Sequence, residues 1–106
     1  MVTIKINMDA LEMQMDGHAN SDEWGKDLIC CAISTLVETL SRHLEQQMTD
    51  GQLIDLREEI EAGHVYIQAQ PYGWSRKDIW IAFKVIREGL RAIAKENGKY
   101  IKLKEE

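Results

Sequence analysis

Val2-Thr3-Ile4-Lys5-Ile6-Asn7-Met8 and Leu11-Glu12-Met13-Gln14-Met15-Asp16 alternate apolar with polar residues. Period two predicts two half-buried strands, with a turn at Met8-Asp9-Ala10. The next segment, Gly17 to Lys26, has no period, is polar and carries a glycine near each end. It reads as a loop of about ten residues, long for a connection in a small domain and of the kind that often carries function. Beyond it the spacing changes to 3.6. Ile29, Ile33, Leu36, Val37, Leu40 and Leu44 fall on one stripe, predicting a helix over 27–48. Asp27 is placed to cap it, Asp50-Gly51 to end it; an earlier start near Asn20 leaves Glu23 to complete a capping box.

The second half repeats this order. Ile54, Leu56 and Ile60 alternate with charges, and Val65, Ile67 and Ala69 with Tyr66 and Gln68, predicting a hairpin over 53–70 that turns at Glu61-Ala62-Gly63. Pro71-Tyr72-Gly73 breaks it. A helix is expected over 75–96, with Ser75 and Asp78 as a capping box and a core stripe of Ile79, Phe83, Ile86, Leu90 and Ile93. Asn97-Gly98 stops it, and Tyr100–Lys104 forms a last strand. The order ββαββαβ implies one two-layer α+β domain spanning residues 1–106, with both helices on one face of a mostly antiparallel sheet.

Composition narrows the function. A chain of 106 residues is one domain by length, with an ordinary hydrophobic share and a single Pro. The net charge of −5 disfavours nucleic acid; the basic tail Lys95, Lys99, Lys102 and Lys104 is diluted by Glu96, Glu105 and Glu106. No apolar run is long enough for a membrane span, and the N-terminus does not read as a signal peptide. Cys30 and Cys31 are neighbours, a spacing that strains a disulfide, so two free thiols in a cytoplasmic, reducing setting are expected. No zinc-binding spacing occurs among His18, Cys30, Cys31, His43 and His64. His43 reads as structural, His64 as exposed.

His18 and Cys30 carry the candidate chemistry. At about 100° per residue, Cys30 lies at the margin of the stripe holding Ile29, while Cys31, about 200° away, lies on the far face. Cys30 thus falls at the seam between helix and sheet, within reach of the end of strand two. The first turn of a helix has unpaired amides and a partial positive charge, which favour a thiolate and can hold an oxyanion. An imidazole alongside can stabilise the thiolate and protonate a leaving amine. A buried thiol with an unrelated surface imidazole remains the alternative.

The residues Gly17-His18-Ala19, then Gly25-Lys26-Asp27-Leu28-Ile29-Cys30, then Ser34, resemble the signature of the Prp family of ribosomal-processing cysteine proteases. The resemblance implies a compact α+β peptidase that removes a short N-terminal extension from large-subunit ribosomal protein twenty-seven. It places the catalytic pair on His18 and Cys30, with Asp27 and Ser34 in support, and implies no cofactor and no metal. Gly17 and Gly25 match the glycines bounding the family's mobile loop, with Ala19 and Trp24 between them, and residues 18–26 would move to admit an extended peptide. Cys31 departs from the pattern, where a small residue is expected. Asp27 is read either as a cap or as the orienter of His18, and Ser34 as a supporting group. The rivals are a protease acting on phage structural proteins and a member of the fold that binds protein without cutting it.

Helix two is also apolar off its stripe, at Trp80, Ile81 and Val85, with Gly89 and Ala92 nearby. Trp74 and Trp80 are expected to pack with this helix. A second apolar face predicts a homodimer.

Overall fold

The computed structural model describes residues 1–17 and 24–106, the side chains of 24–27 excepted. Its elements are β1 (Val2–Asn7), β2 (Glu12–Asp16), α1 (Trp24–Thr49), β3 (Leu53–Glu61), β4 (His64–Pro71), a short 3₁₀ turn (Gly73–Ser75), α2 (Arg76–Glu96) and β5 (Ile101–Glu105). The five strands form one sheet in the order β3-β4-β2-β1-β5. All neighbours are antiparallel except β1 and β5. The expected α+β order ββαββαβ is present. The β3–β4 hairpin inserts beside β2, and the chain returns through α2 to place β5 against β1.

One sheet face supplies Val2, Ile4, Ile6, Met13, Val65, Ile67, Ala69 and Ile101 to a core closed by Ile29, Ile33, Val37, Leu40 and Leu44 of α1 and Ile79, Phe83, Ile86 and Leu90 of α2. Both helical stripes face inward as their spacing requires. Helix α1 ends as expected. The Gly51 amide donates to the Met48 carbonyl and the Gln52 amide to the Gln47 carbonyl, and Gly51 takes the positive φ of 77° that this cap demands. No described helix is long and apolar enough to cross a membrane.

Several local expectations are corrected. The turn after β1 extends to Leu11, which is fully buried at a left-handed φ of 52°; Asn7 Oδ1 accepts from the Asp9 and Ala10 amides and organises it. In β3 the register slips between Leu53 and Asp55, so Ile54 is a bulge residue; it is exposed, and Leu53 takes its place in the core. Ile60, near the hairpin tip, is exposed as well. Glu61 belongs to β3, leaving Ala62-Gly63 as the turn. Ser75 occupies the N-cap position of α2 but forms no capping box. Its hydroxyl donates to the Gln52 carbonyl at 2.5 Å and is 3.2 Å from the Tyr72 carbonyl, pinning the helix start to β3's approach. Trp74 lies in the 3₁₀ turn, exposed and stacked on Tyr72 at 4.4 Å.

Candidate active site

Helix α1 begins at Trp24, three residues before Asp27. Trp24, Gly25 and Lys26 are therefore helical rather than loop, so the expected glycine-bounded loop does not extend to Gly25. An N-cap needs a non-helical backbone, so Asp27, inside the first turn, does not cap α1. Cys30 is correspondingly in the second turn, about 9 Å along the axis from Trp24. Its amide belongs to the helical ladder, so the free first-turn amides expected to serve as an oxyanion hole lie a turn away. His18 and Ala19 lie outside the described residues.

Around Cys30 the elements converge as the helical geometry requires. Cys30 is half-buried, and Cys31 faces solvent. A cleft of about 220 Å³ is lined, among the described residues, by Cys30, Ile33 and Ser34 of α1, Val2 and Met15 of the central strands, Gly17, and Ala62 and Gly63 of the β3–β4 turn. Thus Cys30 and Ser34, neighbours on one helix, share one concavity with Gly17, which is distant from both in the chain. Gly17 is the residue before His18, so the backbone leading to the imidazole leaves the sheet at the wall of the thiol's cleft.

The path at Gly17 is tightly specified. Its φ is +105°, and a Cβ there would stand 2.3 Å from the Met1 carbonyl oxygen. Its amide donates to the Gly63 carbonyl at 3.0 Å, joining the end of β2 to the hairpin turn. Only glycine lets the backbone approach that closely in that conformation.

His64 was expected to be exposed, but it is half-buried and bonded through both ring nitrogens, to Asp16 and Glu59. These carboxylates hold its pKa above the ordinary value, the Asp16 hydrogen bond most strongly. The signal was in the alternation that put Asp16 and His64 on one face, but only the β2–β4 register makes them partners. His43, expected to be structural, is exposed on α1. A further titratable cluster lies away from the cleft. Ser41 donates to Glu58 at 2.5 Å, and burial pushes the Glu58 carboxyl above its ordinary value, with Glu45 adding to the rise.

A free thiol at the junction of a helix and a central strand, opening into a cleft beside a fixed glycine turn, suits a small α+β thiol hydrolase. The profile of the cysteine protease Prp family matches residues 1–102, and the chain belongs to that family of cysteine proteases. No curated protein matches it. Among solved structures it is similar to the essential ribosomal processing protease Prp from S. aureus in complex with a substrate peptide, at a TM-score of 0.76 and 18% identity over 100% of both chains. It is also similar to that protease with a covalently linked product peptide, at 0.70 and 21% over 100% of both chains. SMU.848 from Streptococcus mutans superposes at 0.69 with 21% identity, covering 98% of this chain and 90% of that one. These likenesses establish the fold.

Proposed function

We propose that this chain is a ribosomal-processing endopeptidase that removes a short N-terminal extension from large-subunit ribosomal protein twenty-seven, using His18 and Cys30. The family match over residues 1–102 carries this reading. The shared cleft of Gly17, Cys30 and Ser34 supports its placement. The S. aureus relative bound to substrate and product peptides supports an extended peptide as the ligand.

The chemistry follows from the pair. His18 takes the Cys30 proton, and the thiolate sulfur attacks the scissile carbonyl carbon. As the C–N bond breaks, His18 returns the proton to the leaving amine. Water, deprotonated by the same imidazole, then opens the thioester and frees the thiol. Ser34 lines the cleft one turn beyond Cys30 and supports the thiol side. Asp27, near the start of α1, serves to orient His18. No cofactor is required, and the two free thiols suit the cytoplasm.

The working unit is a homodimer. Of the second apolar face, Gly89 is withdrawn, because the site of its Cβ is 3.0 Å from Leu36 and it serves the contact between α1 and α2. Trp80 packs partly against the core, with Lys84 over its ring. Ile81 and Val85 remain, 42% and 64% exposed beside an apolar groove.

Incubation with a synthetic peptide spanning the extension, read by mass spectrometry, tests the activity. Wild type and Cys31→Ala cleave at one bond, whereas Cys30→Ala and His18→Ala do not. Binding without cleavage by wild type would establish the non-catalytic reading, and cutting only a phage structural protein would replace the substrate.

A further inference from the structure

The end of β2 and the β3–β4 hairpin are fastened together on the sheet face opposite the helices. His64 Nδ1 lies 2.6 Å from Asp16 Oδ1, and His64 Nε2 lies 3.2 Å from Glu59 Oε2. The other Asp16 oxygen accepts from the Gln14 amide at 2.7 Å. A neutral imidazole has one N–H and can donate to one of the two carboxylates, whereas the imidazolium donates to both. One histidine thereby ties three strands.

This link lies beside the reaction cleft without entering it. Met15 and Val65 pack toward the helices, so their neighbours Asp16 and His64 face the other way. The next residue on each strand side belongs to the cleft wall: Gly17 follows Asp16, Gly63 precedes His64, and the two are joined by the 3.0 Å amide-to-carbonyl bond. We propose that His64 is a positioning residue for the protease: by bridging Asp16 and Glu59 it fixes the Gly17–Gly63 wall against Cys30 and sets where the chain enters His18. The proposal rests on reading His18 and Cys30 as the reacting pair.

The charges around the ring set its pH range. Besides Asp16 and Glu59, Glu61 stands across the strand pair from His64, Tyr66 lies two residues along β4 with its hydroxyl donating to Glu12, and Lys5 acts on Asp16 from β1. The carboxylates raise His64 above 6.5 and the imidazolium lowers Asp16 below 3.8. The His64 contribution is full below its unfolded value and is lost as pH rises through its raised folded value; the Asp16 contribution is full above its unfolded value and is lost only in acid. The link is thus complete below the ordinary histidine value and loosens as pH rises through the raised one.

The test is peptide cleavage by wild type, His64→Gln, Asp16→Asn, the double variant and His64→Arg, with amide exchange at Gly17 followed by NMR. Each single variant is expected to lose roughly tenfold in kcat with KM within about twofold, the signature of a displaced reacting group. The double variant should lose no more than the worse single, because the two changes break one link. His64→Arg, cationic at every assay pH, should restore kcat and extend it to higher pH. The Gly17 amide should exchange roughly tenfold faster in His64→Gln. Wild-type kcat in His64→Gln, additive losses, or a kcat loss that merely follows the folded fraction in urea titrations would overturn the proposal. Should Cys30→Ala still cleave, the functional reading falls separately. The Gly17 exchange rate then decides the link alone, faster exchange supporting it and an unchanged rate refuting it.

Discussion

Replacing Gly17 with alanine probes the cleft at its least tolerant point. The φ of +105° is one that an L-residue with a Cβ adopts at a cost of about 1–2 kcal/mol. The added methyl would stand 2.3 Å from the Met1 carbonyl oxygen and 3.5 Å from the Val2 Cα. Met1 is at an exposed end, but the backbone there is not free to retreat. Val2 is buried, its amide donates to the Tyr100 carbonyl at 2.8 Å, and it pairs with Ile101. Relieving such an overlap against fixed backbone costs about 1–3 kcal/mol more. The combined loss, about 2–5 kcal/mol, is a large part of the stability of a domain this size. Urea unfolding of Gly17→Ala should show a lower midpoint with an unchanged slope. Peptide cleavage should fall further than the folded fraction, because the strain is released into the wall beside Cys30 and the entry to His18. A midpoint equivalent to wild type within about 0.5 kcal/mol would refute the account of Gly17, since surface substitutions free of such constraints stay inside that range.

Three further outcomes are expected. Ser75→Ala removes the hydroxyl from the Gln52 carbonyl, which keeps only the longer bond from the Tyr72 amide at 3.4 Å, and should cost about 0.5–1.5 kcal/mol in thermal unfolding; an unchanged melt would remove the hydroxyl from the hairpin-to-helix junction. Glu58 is raised chiefly by burial, so its carboxyl holds the proton more tightly when folded and its ionisation costs stability as pH rises above 4.5; Glu58→Gln should therefore be the more stable protein at pH 7 and lose that advantage in acid, and a less stable variant at pH 7 would contradict this. Sedimentation at micromolar concentration should show a dimer that Ile81→Asp splits, whereas a single 12.2 kDa species in wild type would end the dimer proposal.

The sequence was most legible where burial repeats. Ile29 to Leu44 and Ile79 to Leu90 announce both helices and their inner faces because each stripe must meet the sheet. Val2 to Met15 does the same for the central strands. Features set by single backbone conformations were not legible. Leu53 and Ile54 are both apolar, so no alternation tells which is the bulge. Leu11 fits a strand pattern yet turns left-handed, because Asn7 offers a local acceptor that only the folded turn employs. Gly89 reads as a small residue on a free face until Leu36, from the other helix, is found against it. Within the site, helical angles correctly separated Cys30 from Cys31 and placed Cys30 at the seam. They could not fix where α1 starts, because Asn20, Glu23 and Asp27 all offer capping chemistry. The pairing of His64 was not legible because its partner Asp16 is 48 residues away and only the strand register joins them.

The early start of α1 changes the division of labour within the proposed pair. The charge of a helix terminus falls off within its first turn. Starting at Trp24, that turn ends before Cys30, and the amide of Cys30 is spent on the helical ladder. The helix therefore gives the thiol its position, at the seam against Val2 and Met15, more than it gives it charge. In the proposed mechanism, stabilising the thiolate would then fall to the imidazole of His18, which would also carry the proton to the leaving amine. A pair that relies this heavily on one imidazole needs the chain around it held in place. The structure supplies such restraints immediately before it: the β2 ladder, the Gly17–Gly63 hydrogen bond, and the ionic link from Asp16 through His64 to Glu59. The first two are backbone and insensitive to pH, whereas the third titrates. Any pH dependence in the placement of Gly17 should enter through that third restraint, separately from the titration of the proposed reacting pair.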